Sequence, residues 1–378
     1  MSRLLVIVFV LFCGSVKSAY CQRDILDSVF VDGRMRTFTV HIPAGISPDQ
    51  VVPAVVLLHG AGRTMTDMVS FTEMNTVSDA EKFIVVYPQA ITPLFSGYVW
   101  ADGRNTEADQ AGVNDVLFLS SLVDSLVERY NVDDSRCYLG GYSNGGFMAV
   151  RMACEASGRY AAIGMVGASM DVDLFVSCKP LFPTAVIAFF GTFDPGVPYD
   201  GGPMPNPESK HIVAFDSLAN KWSAINRCST AGSFEYLDDV NLEDESIVVQ
   251  RSFTDCACST SVRQVIIDGG GHTWPGVPVP DEMSYLGAVN MDMNASVEMW
   301  SFFRQFSRCD VQTSVDTDKN FHPKSRSPII SMVYHRGTVE STAILERAIR
   351  VWTIVGEEVS AQAMTAMPDG LYFVHLQD

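Results

Sequence analysis

Three residues of this 378-residue chain have the types and the order for covalent acyl transfer: Ser143, Asp194 and His272. Ser143 sits in Gly140-Gly141-Tyr142-Ser143-Asn144-Gly145-Gly146, directly behind the apolar-rich Arg136-Cys-Tyr-Leu139. A serine at a tight strand-to-helix turn needs small neighbours, because the adjoining segments come closer than a Cβ permits. The stretch 147–153, without Gly or Pro, reads as the helix that this serine begins. Asp194 closes an apolar run in Gly191-Thr-Phe-Asp194-Pro-Gly196, and His272 follows the strand-like segment 262–268 and three glycines. A serine hydroxyl needs a base to take its proton, and the base needs an anion to fix its tautomer and stabilise its cation. The order nucleophile, acid, histidine is one that such sites use. Asp171 and Asp173 are rival carboxylates, and an aspartate before Pro-Gly can also be a plain turn former.

A tetrahedral intermediate also requires N–H donors aimed at its oxygen. Upstream, Val51-Val-Pro-Ala-Val-Val-Leu-Leu58 leads into His59-Gly60-Ala61-Gly62-Arg63, whose small residues suit such a loop. One donor is expected from 60–62, with Ala61 the choice among them, and the second from Asn144, the residue after the nucleophile. His59 precedes the nucleophile and is expected to support the loop rather than to act as base. His41 is also upstream, His211 falls in a polar stretch, and His322, His335 and His375 lie in a tail of different composition. This chemistry needs no metal or organic cofactor. The pair Cys256-Ala-Cys258 lacks a second pair at metal-ligand spacing.

The elements that must hold these residues can be read from periodicity. Residues 29–41 form an opening hairpin turning at Asp32-Gly33. Apolar strand-like runs near 52, 83, 136, 161, 184 and 262 alternate with longer helical segments, which implies a mostly parallel sheet covered on both faces. The insertion 197–260, helical through 212–218, is expected over the site. The Met-rich stretch 291–303 reads as a closing helix whose methionines are core.

Leu-His-Gly, Gly-Tyr-Ser-Asn-Gly-Gly, Phe-Gly-Thr-Phe-Asp-Pro-Gly-Val-Pro-Tyr-Asp-Gly-Gly and Gly-Gly-Gly-His-Thr-Trp-Pro-Gly occur together in this order. Over roughly residues 24–308 the chain resembles the secreted polyhydroxybutyrate depolymerase and feruloyl esterase family. The resemblance implies an α/β-hydrolase fold and a serine carboxylic-ester hydrolase acting on an esterified polysaccharide or a polyester. It also singles out the stretch 113–118, makes Trp100 and Trp274 candidates for the cleft wall, and implies a disulfide between Cys154 and Cys178. Cys228 is expected to bridge to Cys256 across the insertion, with Cys258 as the competing partner. Cys137, on the nucleophile strand, reads as a buried small apolar residue.

Composition adds an address. The first residues, with Arg3 before the apolar 4–12, read as a signal peptide cleaved after Cys21, so that residues 22–310 would form the catalytic domain. A lipid anchor on Cys21 is disfavoured by the bulky Tyr20 before it. Net charge is −18, from 26 basic and 44 acidic residues, and no basic run stands out, which argues against a nucleic-acid partner and against polyanionic substrates. The polar stretch 311–328 reads as a linker. Beyond it, 329–378 reads as a small all-β module, with strand-like pieces at 350–359 and 369–376 that resemble the C-terminal sorting domain of type IX secretion. The secretion machinery is then a partner. The usual Asn-Pro opening is missing and the chain ends in Gln377-Asp378, so a carbohydrate-binding or spacer module stays open.

Overall fold

The computed structural model describes residues 21–204 and 211–309, and the backbone of strands at 330–334, 348–353, 358–359 and 370–376. The expected signal peptide, up to residue 20, and the linker 311–328 lie outside the described residues.

The described residues open with β1 (Arg23–Val31) and β2 (Arg34–Ile42), a hairpin turning on Asp32 and Gly33, both at positive φ. The strands β3 (Val52–Leu58) and β4 (Ile84–Pro88) flank helices α1 (Met65–Thr72) and α2 (Met74–Glu81). A short hairpin, β5 (Thr92–Leu94) and β6 (Gly97–Val99), and the single turn α3 (Glu107–Gln110) lead to α4 (Asp115–Tyr130). Next come β7 (Val132–Tyr142), α5 (Asn144–Glu155), β8 (Ala162–Val166), α6 (Val172–Ser177) and β9 (Ala185–Gly191). The last part holds α7 (Phe215–Ile225), β10 (Ile247–Thr254), β11 (Val262–Asp268) and α8 (Ala295–Phe303).

All of these strands except the β5-β6 hairpin lie in one sheet, in the order β1-β2-β4-β3-β7-β8-β9-β11-β10. From β4 to β11 every neighbouring pair is parallel, while β1, β2 and β10 run antiparallel to their neighbours. This is the α/β-hydrolase architecture. The central strands read as unbroken apolar runs because helices cover both faces. Alternate residues of β3 show it: Val56 and Leu58 pack in the cluster with α4, α5 and α7, whereas Val55 and Leu57 join α1, α2 and α8. Every inner strand therefore delivers its C-terminal end to one rim, where the candidate residues sit.

Two expectations are corrected. The helix of the insertion begins at Phe215, because His211 and Ile212 instead pair as a short strand with Gly202 and Pro203. Of the methionines assigned to the core, Met299 is fully buried but Met291, ahead of α8, is 37% exposed. Disulfides join Cys154 to Cys178 and Cys228 to Cys256, and a third, not anticipated, joins Cys258 to Cys309. Cys137 is a free, buried thiol, pushed up to about 12 mainly by burial.

The chain divides into two compact units, residues 1–311 and 312–378. In the second, the strands 330–334, 370–376, 348–353 and 358–359 lie side by side in that order, each pair antiparallel. No helix among the described residues is long and apolar enough to cross a membrane.

Candidate active site

Ser143 follows β7 and caps α5 with φ 52° and ψ −121°, a sparsely populated conformation for a residue with a side chain. The surrounding glycines make the turn possible. A Cβ on Gly141 would collide with the carbonyl of Gly145, and one on Gly145 would run into the carbonyls of Leu58 and His59. The elbow is thus wedged against the end of β3, and the Ser143 N–H donates to the Val166 carbonyl at 2.9 Å. Such closeness holds the serine at the N-terminus of a twelve-residue helix, where the dipole favours developing negative charge.

His272 follows β11, and its ring centroid lies 4.8 Å from that of Tyr142 in the elbow. His272 Nδ1 lies 2.6 Å from Asp194 Oδ2, and the Asp194 side chain is fully buried. The other carboxylate oxygen accepts the N–H groups of Gly196 and Val197, each at 2.7 Å. With Oδ1 so occupied, Oδ2 is fixed as the acceptor for a proton on Nδ1, which leaves Nε2 as the basic nitrogen. The ring is placed by its own backbone: the His272 N–H donates to the Leu286 carbonyl at 2.6 Å, and its carbonyl accepts the Tyr142 hydroxyl at 2.6 Å. Burial raises the Tyr142 pKa, so this donor keeps its proton. Gly167, next to Val166, leaves room for the imidazole, since a Cβ there would stand 2.7 Å from Nδ1. The rival Asp171 is used elsewhere, capping α6 by accepting the Asp173 N–H at 2.9 Å. His211 is exposed.

His59 is fully buried behind the loop 60–62. Its Nδ1 donates to the Gly60 carbonyl at 2.8 Å, and its Nε2 meets the Gln89 amide at 3.0 Å and the Ala90 N–H at 3.2 Å. The backbone N–H of Ala90 requires an acceptor there, so the ring is neutral, and burial lowers its pKa from 6.5 to about 4 despite the opposing bond to Gly60. His59 therefore ties the loop to the end of β4. Within that loop the Gly62 amide is committed to the Tyr98 carbonyl at 2.9 Å, which takes it out of the expected donors.

Ala61, Ser143 and Asn144 line a cavity of about 180 Å³ with Leu94, Val99, Arg104, Asn105, Thr106, Glu107 and Met204. Trp100 and Trp274 are not among its walls. Both are fully buried, so the expectation that they wall the cleft is corrected: Trp100 Nε1 donates to the His59 carbonyl at 3.0 Å, and Trp274 Nε1 to Ser296 Oγ at 3.1 Å. They brace the two loops from behind.

The residues that sequence reasoning missed are Asp102 and Arg104. Asp102 is buried, and its Oδ2 accepts the Asn144 amide at 2.6 Å and Arg104 at 3.0 and 2.6 Å. Asn144 is held further by both backbone groups of Trp100. The signal available was the charged turn Asp102-Gly-Arg104, which follows Trp100-Ala101 and opens the polar stretch 102–110. The stretch 113–118 supplies the anchor beneath this loop. Asp115 is buried and bridges Arg36 at 2.6 Å and the Ala101 N–H at 2.8 Å.

Residues 36–174 match the family model described as Esterase PHB depolymerase, which takes in the loop 60–62 and the elbow and ends before Asp194. The chain is 25% identical over 280 residues to "Putative esterase NocK" of Nocardia uniformis subsp. tsuyamanensis, covering 71% of this chain and 79% of that protein. It is 27% identical over 162 residues to the bifunctional acetylxylan esterase/xylanase XynS20E of Neocallimastix patriciarum, covering 43% of this chain and 22% of the relative. It is 25% identical over 243 residues to Feruloyl esterase B of Piromyces equi, covering 63% of this chain and 42% of the relative. The chain thus spans less than half of the last two proteins. Residues 36–174 thus form a domain similar to the Esterase PHB depolymerase model, and the match together with these esterase relatives supports a carboxylic ester hydrolase.

Proposed function

We propose that the chain is an exported serine esterase that releases hydroxycinnamoyl-type acyl groups, such as feruloyl, from plant cell-wall polysaccharide. Ser143 Oγ attacks the ester carbonyl while His272 Nε2 takes its proton, and Asp194 stabilises the resulting imidazolium. The amides of Ala61 and Asn144 hold the tetrahedral oxyanion. Collapse expels the sugar hydroxyl with the proton from His272, and water then hydrolyses the acyl-enzyme by the same steps.

The observation that carries this reading is the cavity beside Ser143. Its roughly 180 Å³ is about six times the liquid volume of a water, more than an acetyl group fills. It combines apolar Leu94, Val99 and Met204 with polar Arg104, Asn105 and Thr106, a lining that suits an aromatic ring bearing oxygens. A second reading, polyester depolymerisation, is favoured by Phe95 and Phe193, which are 93% and 76% exposed. Phe95 abuts Gly62, and Phe193 adjoins Asp194, so both could meet a solid polymer. The disulfides support export, and the C-terminal strands are proposed as a sorting module.

The test is parallel hydrolysis of methyl ferulate, acetylated xylan and polyhydroxybutyrate granules, with Ser143→Ala as control. Ferulate release, lost in Ser143→Ala, is expected. Granule clearing without ferulate release would replace the first reading by the second, and residual esterase activity in Ser143→Ala would remove the nucleophile assignment.

A further inference from the structure

Arg104 is the cation lining the cavity beside Ser143, and its guanidinium is held by several contacts. Its Nε and Nη2 donate to Asp102 Oδ2 at 3.0 and 2.6 Å, its backbone N–H donates to Asp102 Oδ1 at 3.0 Å, and its guanidinium carbon lies 3.6 Å over the ring of Phe147 on α5. The remaining arm, Nη1, donates to the sulfur of Met204 at 2.9 Å, and Met204 lines the same cavity. A thioether is a weak acceptor for a guanidinium N–H, and an oxygen entering the cavity would be a stronger one.

We infer that Arg104 Nη1 reads an oxygen acceptor on the acyl group, remote from the ester carbonyl, and that this contact sets the acyl preference of the enzyme. The inference rests on ester cleavage at Ser143. The carboxylate of Asp102 already balances the Arg104 charge, so the matching oxygen is neutral, such as a phenol, methoxy or ester oxygen, rather than a carboxylate. The same Asp102 oxygen accepts the side-chain amide of Asn144, the residue whose backbone N–H is assigned to the oxyanion. Recognition of the acyl group and support of the transition state thus share one anchor.

The experiment uses the full chain and matched esters that differ in the distal oxygens: methyl ferulate against methyl cinnamate, and the methyl ester of the 3-hydroxybutyrate dimer against that of an unbranched fatty acid of like length. Wild type is expected to favour the oxygenated member in kcat/KM by about 10- to 100-fold, the worth of a hydrogen bond to a charged group. In Arg104→Gln, which keeps a donor for Asp102, the ratio falls towards one. Should that variant not fold, Arg104→Lys retains the charge and is expected to give an intermediate ratio. An equal loss on both members of a pair, with the ratio kept, would overturn the inference and leave Arg104 a structural residue. An indiscriminate wild type would also overturn it. If wild type cleaves only the hydroxybutyrate pair, the feruloyl reading fails while Arg104 is judged on that pair.

Discussion

Replacing Asp194 by asparagine changes one atom and is expected to abolish most turnover through the tautomer of His272. In the structure Asp194 Oδ1 accepts two backbone N–H groups at 2.7 Å, so the asparagine carbonyl must stay on that side. Its Nδ2 then replaces Oδ2, 2.6 Å from His272 Nδ1, and presents a donor where a donor already stood. The imidazole must move its proton to Nε2, the nitrogen that should accept from Ser143. The expected loss in kcat is about 10⁴-fold, or about 5 kcal/mol of transition-state stabilisation. Asp194→Ala imposes no tautomer and should be no worse than Asp194→Asn. The assay is kcat on a soluble aryl ester for both variants, with circular dichroism to verify the fold. A loss below tenfold in Asp194→Asn, or an alanine variant far less active than the asparagine one, would refute this reasoning.

Two further outcomes concern stability. Because the folded pKa of His59 is lowered from 6.5 to about 4, the unfolded chain binds the extra proton between these values. The contribution of the neutral imidazole is complete above about pH 6.5 and is lost as pH falls towards 4, up to about 3 kcal/mol. Relative to His59→Gln, wild type should lose its advantage over that window in urea titrations, and parallel pH curves for the two proteins would contradict the assignment. Asp115→Ala strands the guanidinium of Arg36 in the interior and should lower the unfolding free energy by about 3–5 kcal/mol, while Asp124→Ala, whose carboxylate is 70% exposed, should cost less than about 1 kcal/mol. Similar losses in both would mean that burial of the first pair does not matter.

The inner sheet was legible because its signals are local and redundant. Val52–Leu58 is apolar at every position, as a strand covered on both faces must be, and Asp32-Gly33 has the turn chemistry that its positive φ angles require. The elbow was legible because two glycines stand where two backbones touch. β10 was harder, since Gln250, Arg251 and Ser252 interrupt its apolar pattern near the sheet edge. The contact of Asp102 with Asn144 spans 42 residues, and nothing in either local sequence names the other. Trp100 and Trp274 misled because an indole beside a functional motif looks the same in sequence whether it faces substrate or braces the loop from behind. The third bridge was missed for a similar reason: Cys309 follows the closing helix, and only its return beside Cys258 makes the two partners.

The buried thiol on β7 has a consequence for how the chain must acquire its cross-links. Cys137 lies on a strand paired on one side with β3 and on the other with β8, in the middle of the sheet. Before those partners close on it, it is an ordinary reactive thiol, able to capture any cysteine meant for another. Afterwards it is beyond the reach of oxidant and too weakly acidic to attack. The sheet therefore acts as a protecting group, and oxidation that runs ahead of sheet closure would lock the chain into wrong pairings that no later packing could undo without a disulfide shuffler.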